Sequence, residues 1–352
     1  VCSSPRACSR RARRSIAADG WIRLSWPKEL GGDGADAISQ YLLVDEAKRA
    51  GFPWPQLSAN SIGPVLARHA QDAIRERLVT EILNGDSYLA IGYSEPGAGS
   101  DLAALKTRAE RDGDDWVING QKIWTSCANF AQYIWLAART DPDPASRHKG
   151  LTVFLVPTNT PGYSHTLIET MGVTTTATYY DNVRIPDTWR ISGINQGWSL
   201  ITGQLNIERL SLASYGHVAK LYDQVLQLLQ ADAAWQPLLE LPWVQRNLAW
   251  CHARLEALRV MCLQAAWRMD QGSTGMVEAS TCKVYGSELF VEVCRRLGEI
   301  LGTAGALRSG NAAALDGLIE AWYRKGSVLT FGGGANELQR TIIANAGLGL
   351  PR

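Results

Sequence analysis

The chain has 352 residues, 46% of them hydrophobic and 20% charged, with a formal charge of +1. That length supports two or three packed subdomains, and the balance is that of a globular protein. Near-neutral charge gathers neither nucleic acid nor an anionic membrane, and no apolar run reaches the roughly 20 residues of a bilayer span.

Arg6, Arg10, Arg11, Arg13 and Arg14 crowd the first fourteen residues among Ser and Cys, with no acid before Asp19. Such a segment reads as an organelle transit peptide or as a frayed or artificially started N-terminus. The second reading is preferred here, because no amphipathic stripe is visible. From Ser15 to about Asp86 the pattern is helical, broken by the loop Trp26–Gly32; Ile62, Val65, Leu66, His69 and Ala70 recur at helical spacing, as do Ile74, Leu78, Ile82 and Leu83. These positions read as core-facing stripes.

From about Tyr88 to Arg190 the period becomes two. Asp112-Gly113 and Asn119-Gly120 are expected hairpin turns between short strands. Further strands are expected at Tyr133–Ala138, Leu151–Val156 and Tyr179–Pro186. Beyond Asn195 helical periodicity returns, with long helices expected over Leu200–Leu229, Trp243–Asp270 and Met276–Leu301. A last short one is expected over Glu337–Ala346, after Gly332-Gly333-Gly334. The chain is therefore expected to be α+β in three domains. These are a shortened N-terminal helical domain (1–86), a middle antiparallel β-barrel or sandwich (87–192) and a C-terminal four-helix bundle (193–352). Seven scattered cysteines without a CxxC pair fit reduced thiols in a cytoplasmic compartment, or in the mitochondrial matrix of a eukaryote, and no metal site is expected.

Two stretches carry the chemistry. Tyr93-Ser94-Glu95-Pro96-Gly97-Ala98-Gly99-Ser100-Asp101 is a small-residue loop whose backbone N–H groups can approach a ligand, with Ser94 and Ser100 as hydroxyl donors. Twenty residues on, Asn119-Gly120-Gln121-Lys122-Ile123-Trp124-Thr125-Ser126 sets an indole beside two hydroxyls, suited to packing on a planar ring and bonding its edge. Alone, the first is most simply a loop and the second a core Trp at a strand end.

Together they resemble the acyl-CoA dehydrogenase family. Asp181-Asn182-Val183-Arg184-Ile185-Pro186, Asn195-Gln196-Gly197-Trp198, Glu208-Arg209 and Gly334-Ala335-Asn336-Glu337-Leu338-Gln339-Arg340 extend the likeness in family order from about Gly20 to Leu350. The resemblance implies α,β-dehydrogenation of an acyl-CoA, with FAD held between the β domain and the helical bundle and electron-transfer flavoprotein as acceptor. It implies Tyr93, Ser94, Gly99, Ser100, Trp124, Thr125, Ser126, Gly334, Ala335 and Glu337 as cofactor contacts. Ser94 meets the pyrimidine edge, Trp124 packs on the ring, Ser126 lies near N5, and the Gly334–Glu337 turn faces the adenosine. Ser100, Arg209 and Gly333 are implied on the substrate side.

A base must take the Cα proton, and a carboxylate suits because burial under substrate raises its pKa. The family places it before the glycine of the C-terminal turn, where this chain has Gly333, or before an arginine on the first long C-terminal helix, where it has Glu208. Glu208 is the expected catalytic residue. The helical site is associated in the family with branched, long or bulky acyl groups, which tilts the substrate toward a branched or steroid side chain. The family's Arg-Xaa-Xaa-Phe-Gly segment, which reaches a neighbour's FAD, has no counterpart in Gln230–Pro237. Leu301–Gly305, in place of a Gly-rich family loop, is also altered. Either a related subunit completes the site in a hetero-oligomer, or Arg246 or Arg254 substitutes and a homo-oligomer suffices. A catalytically silent half-site subunit, and a flavin oxidase or monooxygenase on the same fold, are the competing readings.

Overall fold

The computed structural model describes residues 5–172, 174–213, 215–273 and 275–351, without the side chains of residues 5–9, 206–208 and 210–212. Helices α1 (Pro5–Ala18), α2 (Ala37–Ala50), α3 (Gly63–His69) and α4 (Asp72–Leu83) come first. Strands β1 (Leu89–Gly92), β2 (Arg108–Asp112), β3 (Asp115–Lys122), β4 (Tyr133–Arg139), β5 (Leu151–Pro157), β6 (Tyr163–Glu169) and β7 (Thr174–Pro186) follow. Then come α5 (Gly197–Leu212), α6 (Tyr215–Ala231), α7 (Pro242–Asp270), α8 (Met276–Leu301), α9 (Thr303–Ala306), α10 (Leu318–Gly326) and α11 (Asn336–Ile342). The chain divides into two compact units, residues 1–35 with 55–207, and residues 36–54 with 208–352.

The first unit is built on a seven-stranded sheet, ordered β1-β4-β2-β3-β7-β6 with β5 also on β4. Alternation along β4 and β5 sends Trp135, Ala137, Val153 and Leu155 to one face, where Leu66, Ile74, Leu78 and Ile82 of α3 and α4 cover them. Ile134, Leu136, Phe154 and Val156 go to the other face, with Trp116, Ile118, Val183 and Ile185. The sheet is mixed rather than wholly antiparallel: β1 and β2 both run parallel to β4.

Asp112-Gly113 turns β2 into β3 as expected, with Asp112 paired to Asp115. Asn119-Gly120 makes no turn. It sits inside β3 where the register against β7 slips, a β-bulge. Gly120 has φ +148, and a Cβ there would stand 2.7 Å from the Thr107 Cα, so only glycine lets the strands close. The arginine-rich start is not frayed from Pro5 onward: α1 runs to Ala18, Arg13 is 3% exposed with its guanidinium 5.2 Å from the Tyr88 ring, and Arg14 Nε donates to Asp86 at 2.7 Å. Residues 1–4 lie outside the described part.

In the second unit α6, α7 and α8 bury a common core that includes Val218, Val225, Leu248, Leu255, Leu258, Phe290, Val293 and Leu297. Cys251, Cys262 and Cys294 fill it as small apolar side chains. Helix α2 joins this unit: Asp45 accepts from Gly216 N at 2.7 Å, while burial pushes its pKa up to about 6. The single helix expected over Leu200–Leu229 is two, α5 ending at Leu212 and α6 starting at Tyr215, with Gly216 in the first turn of α6. No helix among the described residues is long and apolar enough to cross a membrane.

Candidate functional site

In the first unit the loop after β1 folds back on itself. Glu95 N donates to Ala98 O at 2.9 Å and Ala98 N to Glu95 O at 3.1 Å, which closes a tight turn over Pro96-Gly97. Gly97 and Gly99 are exposed, and a Cβ on either would meet nothing within 4 Å, so the chain leaves open space along this loop. Ser94 is half-buried and Ser100 exposed, and neither hydroxyl has a partner among the described residues.

Beneath the loop lies a buried ion pair. Lys122, 1% exposed, donates from Nζ to Tyr93 O at 3.0 Å and to Glu95 Oε1 at 2.8 Å. The Glu95 carboxylate also accepts from Lys106 N at 2.7 Å and Thr107 N at 2.8 Å. Burial pushes Lys122 down to about 8 against the pull of Glu95. Burial also pushes Glu95 upward, but the Lys122 charge and the three donors outweigh it and hold the carboxyl below its ordinary value. Tyr93 is fixed from its ring as well. Its hydroxyl accepts from Trp135 Nε1 at 2.7 Å and donates to Gln204 Oε1 at 3.1 Å, and Gln204 donates to Ser61 Oγ at 2.8 Å.

After β3 the backbone turns sharply. Trp124 has φ +63 and Cys127 φ +72, two left-handed non-glycine residues within four positions. The turn is pinned at both ends: Ile123 N donates to Ser94 O at 2.9 Å, and Thr125 N to Thr176 O at 2.9 Å. Thr176 Oγ1 returns a bond to Thr125 O, and Ser126 Oγ lies 2.9 Å from Thr175 Oγ1. Thr125 is fully buried, whereas the Trp124 indole is 55% exposed. The left-handed backbone thus holds a large aromatic ring out of the core.

In the second unit the corresponding structure is the turn before α11. Gly333 and Gly334 have φ +66 and +103, and Arg209 Nε donates to Gly333 O at 3.2 Å. Lys283, 0% exposed, donates to Thr330 O at 3.1 Å, Gly334 O at 2.7 Å and Asn336 Oδ1 at 2.7 Å. Burial, then the nearby Arg209 charge, pushes it down to about 8. Ala335 is half-buried, and Glu337 is exposed in the first turn of α11. Glu208 falls on α5, but its side chain lies outside the described residues.

Three family models match the chain in succession: the acyl-CoA dehydrogenase N-terminal domain over residues 5–86, the middle domain over 90–183 and the C-terminal domain over 195–348. The chain belongs to the acyl-CoA dehydrogenase family. It is 44% identical to acyl-CoA dehydrogenase FadE26 of Mycobacterium tuberculosis, over 96% of this chain and 86% of that protein. It is 38% identical to FadE29 of the same organism, over 96% and 88%. Among solved structures it is similar to the Tcur3481-Tcur3483 steroid ACAD (TM-score 0.92, 44% identity, 97% of this chain and 89% of that one). It is also similar to the ChsE4-ChsE5 complex of M. tuberculosis (TM-score 0.89, 44% identity, 98% and 90%). Members are flavin-dependent oxidoreductases that act on the CH–CH group of acyl-CoA.

Within this acyl-CoA dehydrogenase the first unit brings together Tyr93, Ser94, Trp124, Thr125 and Ser126 through the Ile123–Ser94 bond and the Lys122 bridge; Gly99 and Ser100 lie further along the same loop. The second brings together Arg209, Gly333 and Gly334. Sequence reasoning missed three supports: the Lys122–Glu95 pair, Lys283, and the threonines Thr175, Thr176 and Thr178 of β7. A signal existed for Lys283, since Ser280, Lys283 and Ser287 recur at helical spacing among the buried positions of α8.

Proposed function

We propose that this chain performs FAD-dependent α,β-dehydrogenation of an acyl-CoA thioester to the trans-2-enoyl-CoA. The observation that carries the reading is the exposed Trp124 ring on a left-handed backbone, in a turn that carries Ser126 and is tied to the Ser94 segment by the bond from Ile123 N to Ser94 O. That donor set fits a planar, polar-edged ring such as the isoalloxazine. When bound, FAD supplies the acceptor for the Cβ hydrogen as hydride. The chain's own task is to hold the ring through Tyr93, Ser94, Trp124, Thr125 and Ser126, to hold the adenosine through Gly334, Ala335 and Glu337, and to remove the Cα proton. Gly99 and Ser100 leave room along the loop for the cofactor and for the CoA arm, and Arg209 and Gly333 belong to the acyl side. Glu208 takes the proton, because Gly333 has no side chain to do so. The proposed domain boundaries lie at 86/87 and 192/193.

The acyl group we propose is a steroid side chain, on the strength of the similarity to a protein described as a steroid ACAD. Electron-transfer flavoprotein is the proposed acceptor of the electrons. A related second subunit is proposed as well. The two solved neighbours above are each named as pairs of proteins, and Gln230–Pro237 offers no cation for a neighbour's diphosphate. Arg246 and Arg254 on α7 are the competing source of that cation, and with either in that role a homo-oligomer suffices. The test is expression alone and with a related subunit, with flavin measured per chain. Losing one charge-assisted bond costs about one to two decades in FAD affinity. The chain alone is therefore expected to purify with little flavin, and the pair with a yellow band that a steroid acyl-CoA bleaches. One FAD bound tightly per chain in the protein alone would remove the need for a partner.

Trp124→Ala is expected to weaken flavin retention about three- to tenfold, the value of an aromatic packing contact. Flavin titration followed by fluorescence quenching reads it. Unchanged affinity would place the ring elsewhere.

A further inference from the structure

The hydroxyl of Thr175 has no role in the scheme above. Thr175 is 3% exposed, and Ser126 Oγ, 2.9 Å from its Oγ1, is its only side-chain hydrogen-bond partner among the described residues. Ser126 itself is exposed. A hydroxyl pair shares one proton, so one member donates and the other keeps its own proton free. Were Ser126 the donor, the Thr175 proton would be left buried without an acceptor, an arrangement disfavoured by about five- to a hundredfold in population. With Thr175 as donor, the Ser126 proton is released toward the exposed side of the turn. The main chain enforces the distance, because Thr125 and Thr176 are bonded to each other in both directions on the same pair of segments.

We propose that Thr175 is a positioning residue that fixes the direction of the Ser126 proton and so makes Ser126 a committed donor to the flavin. The proposal rests on the reading that Ser126 meets the N5 edge of the ring. A hydroxyl that accepts one bond is polarised and donates the next more strongly. Thr175 thereby tunes how readily electron density arrives at N5 without touching the flavin itself.

The experiment compares wild type, Ser126→Ala, Thr175→Val, Thr175→Ser and the Ser126→Ala/Thr175→Val double variant, each as flavin-loaded protein with whatever partner subunit loading requires. The readouts are the flavin midpoint potential, the visible spectrum, and the rate constant of flavin reduction against the KM for acyl-CoA. Ser126→Ala is expected to lower the potential. Thr175→Val is expected to shift it the same way, slowing reduction about two- to tenfold with KM unchanged. Thr175→Ser should retain wild-type values. On the Ser126→Ala background Thr175→Val should add nothing, since its effect passes through that hydroxyl. Wild-type potential in Thr175→Val, with Ser126→Ala shifted, overturns the positioning role and leaves the N5 reading standing. Wild-type potential in Ser126→Ala overturns the N5 reading, and the positioning role with it. A Thr175→Val shift that persists on the Ser126→Ala background makes Thr175 a packing residue. If Thr175→Val does not fold, Thr175→Ala takes its place in the same comparison.

Discussion

Glu208→Gln is expected to keep its flavin and lose turnover by about 10²- to 10⁴-fold, the contribution of a general base to proton abstraction. The amide preserves the shape of the carboxylate and removes the charge and basicity needed to take the Cα proton. Flavin content, the visible spectrum and the unfolding midpoint should therefore match wild type, while bleaching of the band by acyl-CoA slows. Because the interaction is lost in the transition state alone, kcat and kcat/KM should fall together. Near-normal bleaching in this variant would make Glu208 a surface residue and send the search for a base elsewhere. A rescue through Gly333→Glu in the Glu208→Gln background is a sharper form of the test, but the structure limits its expected size. Gly333 has φ +66, a conformation that costs a non-glycine residue about 1–2 kcal/mol. Partial recovery would still argue strongly for two interchangeable base positions.

The legible part of the fold and site was that written in local chemistry. Asp112-Gly113 marked a real turn, β4 and β5 announced themselves as short apolar runs, and α8 began and ended where its period did. The motif loops stood out because glycine, proline and an indole in fixed order have few purely structural uses. What stayed hidden depends on long-range contact. β6 is exposed along nearly its whole length and so shows no alternation, and β1 is only four residues long. The run Thr174–Thr178 looks like a solvated stretch, but β7 pairs it with β6 along its length and with β3 at Thr178, and Thr175, Thr176 and Thr178 are buried. Parallel pairing of β1 and β2 with β4 leaves no trace in sequence. Asn119-Gly120 carried the right chemistry for a positive φ and the wrong topology, since a bulge and a hairpin ask for the same glycine. The arginines of α1 hid a helix because Arg13 is buried against Tyr88, a use of arginine that periodicity counts as polar.

Lys122→Met is expected to be the most destabilising single change in the first unit. Replacing the lysine leaves the Glu95 carboxylate, 9% exposed, with two backbone N–H donors and no counter-charge. Stranding one member of a buried pair costs about 3–5 kcal/mol. It also removes the donor to Tyr93 O, so the backbone that presents Ser94 loses its anchor and flavin retention should fall with stability. Two controls separate charge from packing. Lys122→Met with Glu95→Gln removes both charges and should recover part of the loss, because the one amide oxygen can accept from Lys106 N or Thr107 N while the amide NH2 is left facing the other donor. Acidity should narrow the gap between wild type and Lys122→Met. In wild type the Glu95 pKa is held below its ordinary 4.5, so its contribution is present above that value and is lost as pH falls through the lowered one. In the variant burial acts without the lysine and raises the same pKa, so the carboxyl takes up a proton at higher pH and its penalty is relieved first. Denaturant unfolding of both proteins across the acid range measures this. A gap that stays constant from neutral pH to pH 4 would mean that the lysine stabilises through its aliphatic stem alone, and that the loop beneath Ser94 is held by hydrogen bonds rather than by charge.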